Sequence, residues 1–145
     1  MYSSNKPGSI PCACTTVKKL SRVLGKTFDA ALDGTGINIT QLAVLRCVSR
    51  RRGEPLSHVA DELEMDRTSL YRAIAPMERD GWISVADGKD ARSRTAKLLP
   101  KGTAILKKAD KGWSQAQSRI LDRFGKSNWL SLVTELHRLA DSASD

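Results

Sequence analysis

A chain of 145 residues with 40% apolar content sits where one domain around one core is the default. Its formal net charge of +8, from 24 Lys and Arg against 16 Asp and Glu, suits a polyanionic partner, although charge alone moves that expectation only modestly. Every apolar run is broken by charge before the roughly 18 residues a membrane span needs, the polar opening lacks the apolar stretch of a secretory signal, and three cysteines without an export signal point to the cytoplasm.

Residues 1–11 are polar and punctuated by Pro7 and Gly8, as in a disordered tail. From Thr16 to Leu32, apolar residues at Val17, Leu20, Val23, Leu24, Phe28 and Ala31 recur at helical spacing, with Gly34 placed to end the helix. Asn38 and Gln41 have the spacing of a capping box, and Ile37 and Leu42 that of a hydrophobic staple. The second helix turns Leu42, Leu45 and Val48 inward and closes at Arg50-Arg51-Arg52-Gly53, an arginine run read as a solvated helix end that complements the dipole. Arg79 and Lys97 are read as surface residues in the same way.

A short helix follows from Ser57 to Leu63, Glu64-Met65 breaks it, and Asp66 can cap the next helix by accepting from the Ser69 amide. That helix runs toward Asp80 and stops at Gly81, and Pro76 inside it should kink or loosen the preceding turn. Its first turns carry Arg67, Thr68, Ser69, Tyr71 and Arg72, donors suited to base edges and phosphates. Trp82 to Ala86 alternates like a half-buried strand, Asp87-Gly88 signals a turn, and Thr95 to Leu99 can pair back. The basic loop between them, Lys89 to Arg94, suits a finger entering a narrow, electronegative minor groove. Pro100 opens a long helix whose apolar stripe runs from Ile105 through Ala109, Trp113, Ala116 and Ile120 to Phe124. A last helix from about Ser127 carries Trp129, Leu130, Val133, Leu136 and Leu139 on a broad apolar face. Together these terminal helices expose more apolar surface than the core needs, so a second subunit should cover it.

The DRTSLYRAI helix, the GWI strand start, the spacing of Asp90, Arg92 and Arg94, the LLPKG helix opening and the INITQLAVL entry to the second helix together resemble the MarR family of bacterial winged-helix regulators. The resemblance covers roughly residues 12–140; it departs at Asn38, where the family has Thr, and at Leu99, which cannot cap the next helix as the family's Thr or Ser does. It implies a mainly α fold with a small β-hairpin wing: a winged helix-turn-helix over 35–100, and dimerisation helices over 12–34 and 101–142. It further implies a homodimer on a pseudo-palindromic double-stranded operator, most often as a repressor, with recognition helices about 34 to 36 Å apart. Arg67, Thr68, Ser69, Tyr71 and Arg72 would then face the major groove and Arg92 the minor groove. Lys89 and Arg94 would hold the backbone, with Asp90 pairing to an arginine to shape the wing. A small aromatic effector between the dimer helices and the winged helix would release DNA; Trp113 can line that crevice, but an aromatic at helical spacing is more often core.

Two further readings stay open. Cys12 and Cys14 flank the start of the first helix, where the helix N-terminus lowers a thiol pKa, and are candidates for redox sensing; a bridge between them would be strained, so a useful one would reach the other subunit. Alternatively, the winged helix contacts protein or RNA. Cys47, among apolar residues, is expected to be a small buried hydrophobe. His58 and His137 are isolated, the first expected at the surface and the second complementing the last helix end, so no metal site is expected. With neither a nucleophile elbow nor a Gly-rich phosphate loop, no catalytic residues or cofactor are expected.

Overall fold

Capping chemistry sets most of the element boundaries. The computed structural model describes residues 9–90 and 92–144, which form α1 (Ala13–Ala31), α2 (Ile39–Arg51), α3 (Leu56–Glu62), α4 (Arg67–Arg79), β1 (Ile83–Asp87), β2 (Arg94–Leu98), α5 (Pro100–Phe124) and α6 (Lys126–Ser142). Asn38 Oδ1 accepts from the Gln41 amide at 2.8 Å, and Gln41 Oε1 accepts from the Asn38 amide at 3.0 Å, completing the box expected at the start of α2. Gly81, at φ +75°, ends α4. The Gly81 amide donates to Glu78 at 3.0 Å and the Trp82 amide to Met77 at 2.8 Å, satisfying the last carbonyls while Trp82 and Met77 join the core. Glu64, at φ +49°, does the same for α3, with the Met65 amide on the Ala60 carbonyl at 2.9 Å.

Several expected boundaries move. Helix α1 begins at Ala13 rather than Thr16, with Cys12 as its N-cap. The strands sit one residue away from their expected places, so Arg94 belongs to β2, opposite Asp87, rather than to the loop. An isolated bridge from Pro55 to Thr95 adds a third edge to the hairpin. Helix α4 runs unbroken through Pro76, because Leu70, Ile74 and Met77 anchor it on both sides and the carbonyl that loses its partner belongs to Arg72, on the exposed side. As expected, Leu99 supplies no side-chain cap to α5. His137 lies before the last turn of α6, which holds no basic residue, so it does not complement that end. Of the tail expected at 1–11, residues 1–8 lie outside the described residues, and Ser9 to Pro11 are exposed.

The core lies between α2, α3, α4 and the hairpin, around Leu42, Leu45, Val59, Leu70, Ile74, Met77, Trp82 and Ile83. Helix α5 joins it through buried Ala109 and through Arg46 of α2. The Arg46 Nε and Nη2 donate to Asp110 Oδ1 at 3.0 and 2.5 Å, and its guanidinium lies 4.1 Å from the Trp113 ring centroid. Trp113 is thus a half-buried platform for an arginine. No helix among the described residues is long and apolar enough to cross a membrane.

Helix α1 packs on α5 at Gly112, where a Cβ would run into the Ala31 carbonyl. Glycine normally weakens a helix interior by about 1 kcal/mol relative to alanine, and this backbone approach explains its presence. Gly112→Ala is therefore expected to lower stability by about 1–3 kcal/mol, the usual cost of overpacking. Denaturant unfolding checks this; an unchanged or raised midpoint would mean that α1 does not sit on α5 in this way.

Candidate nucleic-acid interface

Recognition-type chemistry concentrates where the start of α4 meets the hairpin. Asp66 Oδ1 accepts from the Ser69 amide at 2.8 Å and its Oδ2 from the Ser69 hydroxyl at 2.7 Å, which fixes the first turn of α4. Arg67, Thr68, Ser69, Tyr71 and Arg72 are all exposed, while Leu70, Ile74 and Met77 turn inward, so one helix presents a polar face outward and an apolar face to the core. The Ser69 hydroxyl spends its proton on the cap, leaving it as an acceptor toward any ligand.

The same bonds hold the Asp66 carboxyl below its usual range, the Ser69 amide contributing most and the Ser69 hydroxyl next. A depressed folded-state pKa means that this stabilisation is complete above the unfolded value, near 3.9, and is lost as pH falls through the lower folded one. Glu62 and Glu54 are depressed too, each chiefly by Arg51, and add to the same acid limb. Asp66→Asn keeps a capping acceptor without a titrating group. It is expected to match the parent at neutral pH and to lose less stability between about pH 5 and pH 2; superimposable acid limbs would remove Asp66 from the titration.

The wing is closed by its own backbone. The Gly88 amide donates to the Ser93 carbonyl at 2.7 Å, and the Ser93 amide and hydroxyl donate to the Asp90 carbonyl at 2.9 and 3.0 Å. Asp90 therefore shapes the turn through its main chain; among the described residues its carboxylate pairs with neither Arg92 nor Arg94, contrary to expectation. Exposed Lys89, Arg92 and Arg94 line this hairpin. Arg67 and Tyr71 of α4 share with Asp90, Arg92 and Arg94 a cleft of about 230 Å³, which Ser57 of α3 also lines. Ser57 belongs to no motif, so the sequence alone does not mark it as a site residue.

The other arginines are engaged in structure. Arg50 and Arg51 both pair with Glu62 of α3, and Arg51 also with Glu54 at 2.6 Å, so the run read as a solvated helix end ties α2 to α3. Arg79 pairs with its neighbour Asp80 at 3.1 Å. Exposed His58 lies 3.2 Å from Glu54. Cys47 is buried as expected, and burial pushes its thiol up. Cys12 and Cys14 are exposed at the start of α1. Cys12 makes no capping hydrogen bond of its own, but the Thr15 hydroxyl and then the Thr15 amide beside it draw its thiol below the ordinary value. No group of side chains suited to a metal ion occurs among the described residues.

Residues 42–86 match a family model described as the IclR helix-turn-helix domain. The HTH-type transcriptional regulator BilQ of Clostridioides difficile (strain CD3) is 26% identical over 95 residues, which span 65% of this chain and 64% of that protein. The transcriptional regulator MosR of M. tuberculosis, solved in complex with DNA, is 31% identical over 93% of this chain and 100% of its own, with a TM-score of 0.82. A mutant of E. coli MarR, solved with operator DNA, shares the fold at a TM-score of 0.78 with 16% identity, over 87% of this chain and 91% of its own.

Proposed function

This chain belongs to the MarR family of winged helix-turn-helix transcriptional regulators, and from that membership we propose that it binds a pseudo-palindromic operator as a homodimer and represses transcription. The observation that carries this is the convergence of the exposed face of α4 and the wing arginines on one cleft. Helix α4 offers Thr68 and Arg72 to base edges in the major groove, while Arg92 enters the adjoining minor groove and Lys89 holds the backbone. The DNA complex of MosR, at 31% identity, supports the same partner here. Fluorescence anisotropy with duplexes enriched from a random pool tests the reading: two protomers per duplex are expected, with affinity falling steeply as salt rises. A protein that enriches no duplex would end it.

Release is proposed to follow binding of a small effector, of the size of a single aromatic ring, where α1 meets the winged-helix core. An open cleft there of about 610 Å³ is lined by Asp29, Leu32, Asp33, Ile37, Asn38 and Gln41. Its two carboxylates favour a neutral or cationic ligand over an aromatic acid. A second reading rests on the exposed, lowered Cys12 thiol. Peroxide would accept two electrons and two protons from a pair of these thiols, giving a disulfide between protomers and two waters. Peroxide-induced DNA release that persists in a Cys12→Ser/Cys14→Ser double variant would dismiss it.

A further inference from the structure

The cleft between α3, α4 and the wing gathers three arginines, Arg67, Arg92 and Arg94, against one carboxylate, Asp90, a local charge of +2. Among the described residues none of the three arginine side chains has an ion pair or hydrogen bond, whereas those of Arg46, Arg50, Arg51, Arg79 and Arg138 are all paired with carboxylates. Two hydroxyls on the same walls, of Ser57 and Tyr71, are equally without a hydrogen-bond partner there. Like charges brought together by three separate elements repel one another unless an anion sits between them. Asp90, the one carboxylate in the cleft, pairs with none of the arginines among the described residues.

We propose that this cleft seats one phosphodiester group of the DNA backbone, held between Ser57 of α3, Arg67 and Tyr71 of α4 and Arg94 of β2. The proposal rests on the DNA-binding reading and adds a site to it. It makes the backbone the element that locks the wing to the recognition helix, so the orientation of the wing is completed on DNA. It also moves Arg67 from base reading to phosphate holding, with guanidinium geometry suited to two phosphate oxygens, and adds Ser57, on a helix with no base-reading role, to the interface.

The test compares the wild-type protein with Ser57→Glu, Ser57→Ala and Arg67→Gln on an enriched duplex and on an unrelated duplex of equal length. Ser57 and Arg67 are exposed, so the variants are expected to fold, which far-UV circular dichroism checks. Ser57→Glu, which places a carboxylate in the seat, is expected to weaken binding to both duplexes by about tenfold or more, and Ser57→Ala by a few-fold. Arg67→Gln is expected to weaken both equally and to flatten the slope of log K against log salt by about 2 for the dimer, close to one unit per phosphate contact. One backbone position per half-site should exist where a neutral methylphosphonate weakens the wild-type protein but leaves Arg67→Gln unaffected. A loss confined to the enriched duplex would make Arg67 a base reader and overturn the proposal, as would a Ser57→Glu variant that binds like the wild type. Inorganic phosphate alone is expected to show no saturable binding in the millimolar range; saturation would make the cleft a site for free phosphate and overturn the assignment to the DNA backbone. Failure of the wild-type protein to bind any duplex would instead strike the DNA reading itself.

Discussion

Arg92→Ala should lower affinity for an enriched operator duplex by roughly 30-fold or more, with folding unchanged. Each well-placed arginine contact contributes about 1–3 kcal/mol, a homodimer loses two of them, and every 1.4 kcal/mol is about tenfold. The effect is this large because Arg92 is exposed at the wing and has no internal partner among the described residues, so nothing in the fold compensates for it and nothing in the fold depends on it. A narrow minor groove concentrates negative potential, and Arg92→Lys should restore only part of the affinity, since the compact ammonium is more strongly hydrated. Anisotropy titrations at one fixed salt concentration check the series. Unaltered affinity for Arg92→Ala would remove the wing from the groove and favour a winged helix that contacts protein or RNA.

A second large effect is expected from charge placed on the apolar faces of α1 and α6. Neither helix holds a buried residue, although they span 19 and 17 residues. Val23 of α1 is 52% exposed, Phe124 at the end of α5 47%, and Leu130 of α6 59%. Fully covering a side chain of this kind stabilises by about 1.5–3 kcal/mol, so a partner burying several of them on each protomer gains much of the stability of a small domain. For the proposed homodimer, the double variant Val23→Asp/Leu130→Asp is expected to run as a monomer in light scattering and the parent as a dimer. Its DNA affinity should fall by about 10²–10⁴, because the second half-site contact ceases to be intramolecular. Helicity should also fall, since α1 and α6 would lose the surface that orders them. A variant that stays dimeric and binds DNA as the parent does would place the subunit interface elsewhere.

These two surfaces are legible in the sequence to different depths. The apolar stripes of the terminal helices and the polar start of α4 follow from residue type at helical spacing, and the caps at Asn38 and Asp66 from pairs three residues apart. The wing arginines are legible as a basic loop between two alternating segments, although Arg94 lies within β2. The Asp90 pair is not realised, because the turn uses the Asp90 carbonyl and leaves the carboxylate free of Arg92 and Arg94. Pro76 taken alone predicts a disturbed α4, but three buried side chains outweigh one lost backbone bond.

What the residue order settles here is local: helix limits, turns and which face is apolar, because these depend on atoms within about one helical turn of each other. Contacts between distant segments were decided by packing. Arg46 reaches Asp110 across 64 residues, Pro55 bridges to Thr95, and Ser57 comes to face Arg67 and the wing only once α3 and β2 have docked. No spacing rule encodes such meetings, since they depend on how whole elements settle against one core, and the cleft between α3, α4 and the wing exists only as a product of that docking.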